Sequence, residues 1–229
     1  MKAFLRARLD REHWLGLHLT IGFAVVLACL AVFAAIASQV VSGGALTGLD
    51  AQLAQRLHLG GSPVLARLTL AFTNLHNTAG MYLLILLLAA WLARRRDWLW
   101  LGALVLCVQG AMLLNVAVKL VFQRARPRFD NPLVTLESFS FPSGHVAAAT
   151  AFYGFLAVLW MTHARSWPAR LAIVPFSLAM VALVAWSRMA LGAHYLSDVL
   201  AAFAQSTAWL ALCLGGFASW ALRRQTMQA

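Results

Sequence analysis

The sequence predicts an all-α fold: an integral membrane bundle of six transmembrane helices, with a short interfacial helical segment between spans one and two. Three observations carry this. Hydrophobic residues make up 62% of the 229 and charged residues only 11%, against about 45–50% and about 25% in a soluble domain. Mean hydropathy is +0.77, and the apolar residues fall in runs near the ~20 residues that cross a ~30 Å hydrocarbon core. The cations, 18 Lys and Arg against 7 Asp and Glu, cluster between those runs. A disordered chain is excluded. In a soluble protein the net charge of +11 would point to nucleic acid. No nucleic-acid signature accompanies it, so the expected partners are membrane lipids.

The first apolar run, residues 15–41, follows a basic head of Lys2, Arg6, Arg8 and Arg11. It is much longer than the ~7–15 residues of a signal-peptide core, so it reads as a retained anchor. Residues 42–77 carry Gly43-Gly44, Gly60-Gly61 and Pro63, with Leu53, Leu57, Leu65, Leu68 and Phe72 at helical spacing. One or two interfacial helices are expected there. Span two, 79–93, is short and extends back towards Leu75 if it is to cross fully. Spans three to six follow at 98–122, 143–161, 169–187 and 196–222, giving one membrane domain over 1–229. Cys29, Cys107 and Cys213 lie inside apolar runs and read as small core residues.

Orientation follows from the positive-inside rule. Six spans put both termini on one side. Assigning that side to the cytoplasm places Lys2, Arg6, Arg8, Arg11, Arg94, Arg95, Arg96, Arg165, Arg170, Arg223 and Arg224 inside. Trp14, Trp91, Trp98, Trp100, Trp160, Trp167 and Trp220 then form an inner aromatic belt. The expected location is a bacterial-type inner membrane, with the outer ends of spans three to six facing away from the cytoplasm. Of the cations left outside, Lys119, Arg124, Arg126 and Arg128 form a dense group on the side where cations are sparse. Topology does not account for them.

Three segments at those outer ends carry unusual polar chemistry. In the first, Lys119 and Arg126 are seven apart, two helical turns on one face, and Pro127 ends the span. Alone, these could be cations snorkelling at a boundary. In the second, Pro142-Ser143-Gly144-His145 opens a span: Ser143 is placed to cap it, and the free N–H groups of a helix start, with Gly144 adding no side chain, suit a phosphate. An ordinary cap with an interfacial histidine is the alternative. In the third, Ser187-Arg188 is followed by His194 and Asp198, four apart where the last span begins, so that on a helix they stack on one face. The carboxylate can hold one imidazole nitrogen and leave the other as a nucleophile, or the pair can simply close a loop.

Taken together, Lys119-x6-Arg126-Pro127, Pro142-Ser143-Gly144-His145 and Ser187-Arg188-x5-His194-x3-Asp198 resemble the three-part signature of the type 2 phosphatidic acid phosphatase superfamily. Every specified position matches, and the six-span layout is similar too. The resemblance implies that Lys119, Arg126 and Arg188 hold phosphate oxygens, helped by Ser143 and the Gly144 N–H. It implies that His194 attacks phosphorus and becomes phosphohistidine, that Asp198 orients it, and that His145 protonates the leaving oxygen. Three cations and a helix start can neutralise a transferring phosphoryl group, so no metal and no cofactor are expected. The expected substrate is a lipid phosphate or pyrophosphate, with undecaprenyl pyrophosphate first and phosphatidylglycerophosphate, phosphatidic acid or lipid A next. A lipid phosphotransferase and, in another class, a phosphate or lipid transporter are the rivals. Oligomeric state is not set by the sequence. Arg124 and Arg128 are unassigned, with snorkelling preferred. Asp130 and Glu137 are expected to be solvated loop residues. His18, His76 and His163 have no partner at meaningful spacing.

Overall fold

The computed structural model describes residues 16–164 and 166–228, whose regular structure is helical with no strand. The basic head, Trp14 and Arg165 lie outside the described residues, as does the side chain of His18. The helices are α1 (Leu17–Ser42), α2 (Ala45–Leu57), α3 (Pro63–Asn74), α4 (Thr78–Arg94), α5 (Trp98–Phe122), α6 (Gly144–His163), α7 (Trp167–Ala190) and α8 (Leu196–Gln228). Five are long and apolar enough to span a membrane, and α4 passes that test only together with α3, from which it is bent by 45° at their junction.

Local chemistry sets the breaks. Gly43 takes the left-handed conformation (φ 67°) that closes α1, as glycine does most cheaply. Pro63 starts α3, where its fixed φ and missing N–H cost nothing. The Asn77 side chain accepts from Gly80 N at 2.9 Å and so restarts the chain as α4. The interval between the first two spans therefore holds two helices. Span two begins at Thr78 and does not extend continuously back through Leu75. In α3 the residues turned inward are Ala66, Thr69 and Thr73, while Leu65 and Leu68 are exposed. That is the reverse of a water-facing helix and suits one facing lipid.

The bundle is built around α6, whose Val146, Ala147, Ala149, Ala151 and Phe155 are buried. It packs on α5, α7 and α8. Its alanines permit close helix approach, the usual basis of packing where lipid supplies no hydrophobic drive. Glycine permits the same elsewhere: a side chain at Gly110 would meet Trp209, and one at Gly154 would meet Leu210. By contrast α1 lies on the periphery along α8, with Phe23, Leu27, Leu30 and Val32 exposed. An apolar surface of that extent would aggregate in water.

Candidate active site

The three segments converge on one cavity of about 540 Å³, whose walls include Lys119, Arg126, Gly144, His145, Arg188 and His194. Each arrives by its own local route. The first differs from the helical expectation. α5 stops at Phe122, and Gln123 turns left-handed (φ 44°), so Arg126 does not share a helix face with Lys119. The chain instead runs non-helically from Arg124, and Ser140 N donates to Arg124 O at 2.8 Å, laying residues 124–127 beside 138–143. Lys119 Nζ donates to Phe139 O at 2.7 Å. Arg126 donates to Ser138 O at 2.6 Å, Phe139 O at 3.1 Å and Ala193 O at 2.6 Å. Both cations are thus aimed by backbone carbonyls before any anion arrives, the preorganisation that electrostatic catalysis requires. Burial lowers the Arg126 pKa, and the nearby Asp198 carboxylate works against that shift.

The second segment is held by Phe141, fully buried, with ring centroids 5.8 Å from Phe33 and 4.9 Å from Phe122. Ser143 occupies the N-cap position of α6, but its hydroxyl makes no capping bond, contrary to the usual use of serine there. Its Oγ is buried without a partner, as are Arg188 Nε and Asn115 Nδ2. Orphaned buried donors are costly. An anion bound against Arg188 and Asn115, which line the cavity, would satisfy those two, whereas Ser143, expected as a phosphate ligand, is fully buried and is not among the lining residues. Arg188 is otherwise held by Thr73, which accepts from its Nη1 at 3.0 Å.

The third segment also differs in detail. His194 lies before α8, not on it. α7 ends, Gly192 turns left-handed (φ 70°), and Ala193 N and His194 N both donate to Arg188 O, at 2.9 and 3.2 Å. Asp198, in the first turn of α8, reaches back to accept from Tyr195 N at 2.8 Å, the reciprocal half of a capping box. The His194–Asp198 pair therefore forms because Asp198 caps the helix that His194 precedes. His194 Nδ1 stands 3.4 Å from Asp198 Oδ2, and Ser140 Oγ donates to the same oxygen. Arg126 Nη1 lies 3.2 Å from His194 Nε2. An arginine can only donate, so Nε2 is the unprotonated nitrogen and Nδ1 carries the proton. Burial pushes the His194 pKa from 6.5 down to about 4; Asp198 pulls it upward, while Arg126 and Arg188 add to the depression.

Sequence reasoning missed four contributors. Arg124 does not snorkel: it pairs with Asp198 at 2.7 Å and Asp50 at 2.8 Å. Asp50 itself, in α2, is fully buried. His76 is not without a partner: it lines the cavity and bonds the Tyr153 hydroxyl at 2.9 Å. Asn115 sits one helical turn before Lys119 on the same face, a spacing that could have flagged it. Asp130 and Glu137 are exposed, as expected. His163, at the opposite end of α6, lies 3.6 Å from Asp97 and has no part in the cavity. Among the described residues no group of three His, Cys, Asp or Glu is placed to hold a metal.

This chain matches the PAP2 superfamily over residues 98–220. Phosphatidylglycerophosphatase B of Bacillus subtilis (strain 168) is 32% identical over 176 residues, covering 76% of this chain and 86% of that protein. Decaprenylphosphoryl-5-phosphoribose phosphatase of Mycobacterium tuberculosis is 36% identical over 114 residues, 46% of this chain and 53% of that protein. The crystal structure of a transmembrane PAP2 type phosphatidylglycerolphosphate phosphatase from Bacillus subtilis superposes with TM-score 0.67 at 26% identity, covering 90% of this chain and 96% of that one. Aquifex aeolicus LpxE, at 20% identity and TM-score 0.58 over 72% of this chain and 94% of its own, shares the fold. The matched region holds every position of the three segments from Lys119 to Asp198, and the chain belongs to the PAP2 superfamily as a membrane lipid phosphatase.

Proposed function

We propose that this phosphatase works without a metal, through a phosphohistidine at His194, on a lipid phosphate or pyrophosphate presented at the extracytoplasmic face. The observation that carries the reading is the His194 ring: Nδ1 faces Asp198 and Nε2 faces Arg126, on the wall of a cavity shared with Lys119 and Arg188. A neutral imidazole with its tautomer fixed is a competent nucleophile. The lone pair on Nε2 forms the N–P bond as the P–O bond to the lipid breaks, and His145 protonates the departing oxygen. Water then attacks phosphorus, giving its proton to His145, and inorganic phosphate leaves with His194 restored. Charge on the equatorial oxygens is met by Lys119, Arg126, Arg188 and the first N–H groups of α6. The donor set favours metal independence. The cavity offers Lys, Arg and His where Mg²⁺ prefers oxygen ligands, and both oxygens of Asp198 are already bonded.

The sequence ranking put undecaprenyl pyrophosphate first. Relatives described as acting on phosphatidylglycerophosphate and on a decaprenylphosphoryl sugar phosphate move phosphatidylglycerophosphate to the head of the panel, beside polyprenyl pyrophosphate. The test is rapid quenching of purified enzyme with ³²P-labelled lipid phosphate in excess EDTA, followed by alkaline work-up. Transient label on His194, absent from His194→Ala, supports the reading. Turnover that needs added Mg²⁺, or label that maps to His145 and persists without His194, contradicts it. Asp198→Asn should cut turnover sharply in folded protein, and a near wild-type rate would remove Asp198 from the mechanism.

A further inference from the structure

Two charged side chains outside the specified positions of the three segments stand behind the histidine–aspartate pair. Asp50 reaches it from α2, the first helix between spans one and two, and is fully buried. Arg124 bridges the two acids. Its Nη2 donates to Asp50 Oδ2 at 2.8 Å, and its Nη1 donates to Asp198 Oδ1 at 2.7 Å and to Ser197 Oγ at 2.6 Å. The guanidinium lies 4.3 Å from the centre of the Tyr195 ring. Asp50 also accepts from Ser197 N at 2.9 Å and from the Ser197 hydroxyl. One carboxylate thus caps the start of α8 from another helix while anchoring the arginine. With Arg124 on Oδ1 and with Ser140 and Tyr195 N on Oδ2, Asp198 is fixed facing His194.

The division of labour between Arg124 and Arg126 is visible in the backbone. They are two residues apart on a non-helical stretch, where alternate side chains share a side. Arg124 meets Asp198 and Arg126 meets His194, but only Arg126 lines the cavity. Arg124 touches no position open to substrate. Burial alone would lower its pKa, but Asp198 and Asp50 outweigh that and raise it, so the guanidinium stays charged. Asp50, Arg124 and Asp198 together carry one net negative charge. Buried ion triads of this kind commonly add little stability over apolar residues of the same volume, so stability alone is a weak reason for three of them here. A reaction that makes His194 more positive as its N–P bond forms is a stronger one, and a planar fork holds two carboxylates at once in a fixed geometry.

We propose that Arg124 and Asp50 are positioning residues of the reaction, an Asp50–Arg124–Asp198 clamp that fixes the carboxylate orienting His194 and makes α2 part of the catalytic apparatus. The clamp rests on the reading that His194 is the nucleophile.

The experiment compares Arg124→Gln, Arg124→Lys, Asp50→Asn and the double variant Asp50→Asn/Arg124→Gln with wild type, in micelles doped with phosphatidic acid. Arg128→Gln, at an exposed arginine outside the site, serves as control and keeps wild-type kinetics. Arg124→Gln lowers kcat by about 30-fold or more with KM within about threefold, the pattern of an interaction realised at the transition state. Asp50→Asn shows the same split more weakly. The double variant is no worse than Arg124→Gln alone, because the residues act as one unit. Arg124→Lys, which keeps the charge but loses the fixed fork, falls between.

Rapid quenching with ³²P substrate separates the outcomes. Label on His194 in wild type that forms at least tenfold more slowly in Arg124→Gln supports the clamp. Label forming at the wild-type rate in that variant overturns the clamp and leaves the nucleophile standing, whereas wild type that never labels His194 removes both. A raised KM with kcat retained would make Arg124 a substrate ligand and overturn the proposal. So would a loss confined to thermal stability, with kcat per folded enzyme unchanged. Should Arg124→Gln fail to fold, Asp50→Asn and Arg124→Lys carry the same test.

Discussion

At the scale of the residue, the site is a set of donors aimed in advance, and two predictions follow from how they are aimed. The first concerns His194. Its pKa falls from 6.5 to about 4 in the folded protein, chiefly through burial. The ring is therefore neutral across the physiological range, as the proposed nucleophile must be. In ring NMR of histidine-labelled enzyme, the signal lost in His194→Ala should still report a neutral imidazole at about pH 5.5, and protonation with a midpoint at or above 6.5 would contradict the buried geometry. The sign for stability follows. The unfolded chain takes up this proton below 6.5 and the folded one only near 4, so the folded state loses stability as pH falls through that interval. The second concerns Asn115, 2% exposed, whose Nδ2 has no partner and whose side chain lines the cavity beside Gly144. A hydrogen bond to a charged group contributes about 1.5–3 kcal/mol, so Asn115→Leu should lower kcat/KM by about tenfold or more without unfolding the protein. An unchanged kcat/KM would mean that its amide never meets the phosphate.

At the scale of the element, the spans were legible because a lipid-crossing helix must satisfy its own backbone and present an apolar exterior. Both leave marks in a linear sequence. What was not legible was how the ends of those helices turn. Lys119 and Arg126 look like one helix face at seven-residue spacing, yet Gln123 breaks the helix between them and carbonyls of residues 138–139 and 193 aim Arg126. Likewise the spacing of His194 and Asp198 was right for a reason other than the assumed one, since the capping geometry of α8 joins them. The helices between spans one and two were expected only as interfacial cover, but both build the site. α2 supplies Asp50, and α3 supplies Thr73, whose Oγ1 accepts from Arg188. No local pattern marks a buried aspartate or threonine whose partners lie 74 to 147 residues away. Thr73→Val keeps the shape and removes the acceptor. It should cost about tenfold in kcat/KM for lipid phosphate hydrolysis, and wild-type kinetics would reduce α3 to packing.

At the scale of the whole molecule, the charge distribution supports the proposed orientation of the chemistry. Among the described residues Arg94, Arg95, Arg96, Arg170, Arg223 and Arg224 lie at one set of helix ends, and Lys119, Arg124, Arg126 and Arg188 at the other. The second group has its own explanation in the cavity and its supports, so it does not count as a topological signal. The first group, flanked by the exposed Trp91, Trp98, Trp160, Trp167 and Trp220, has no role in the site and reads as the cytoplasmic edge. On that proposed orientation the phosphatase would open away from the cytoplasm, towards lipids of the outer leaflet. Single cysteines test this in a background with Cys29, Cys107 and Cys213 replaced. Asn131, exposed in the connection between α5 and α6, marks the cavity side, and Arg95, exposed after α4, marks the other. An impermeant thiol reagent applied to intact cells should label the Asn131→Cys protein and should reach Arg95→Cys only after the membrane is opened. The reverse pattern would turn the bundle over. The catalytic geometry would survive that result, because no distance within the site depends on which side faces out, but the lipid pool it serves would become the cytoplasmic leaflet.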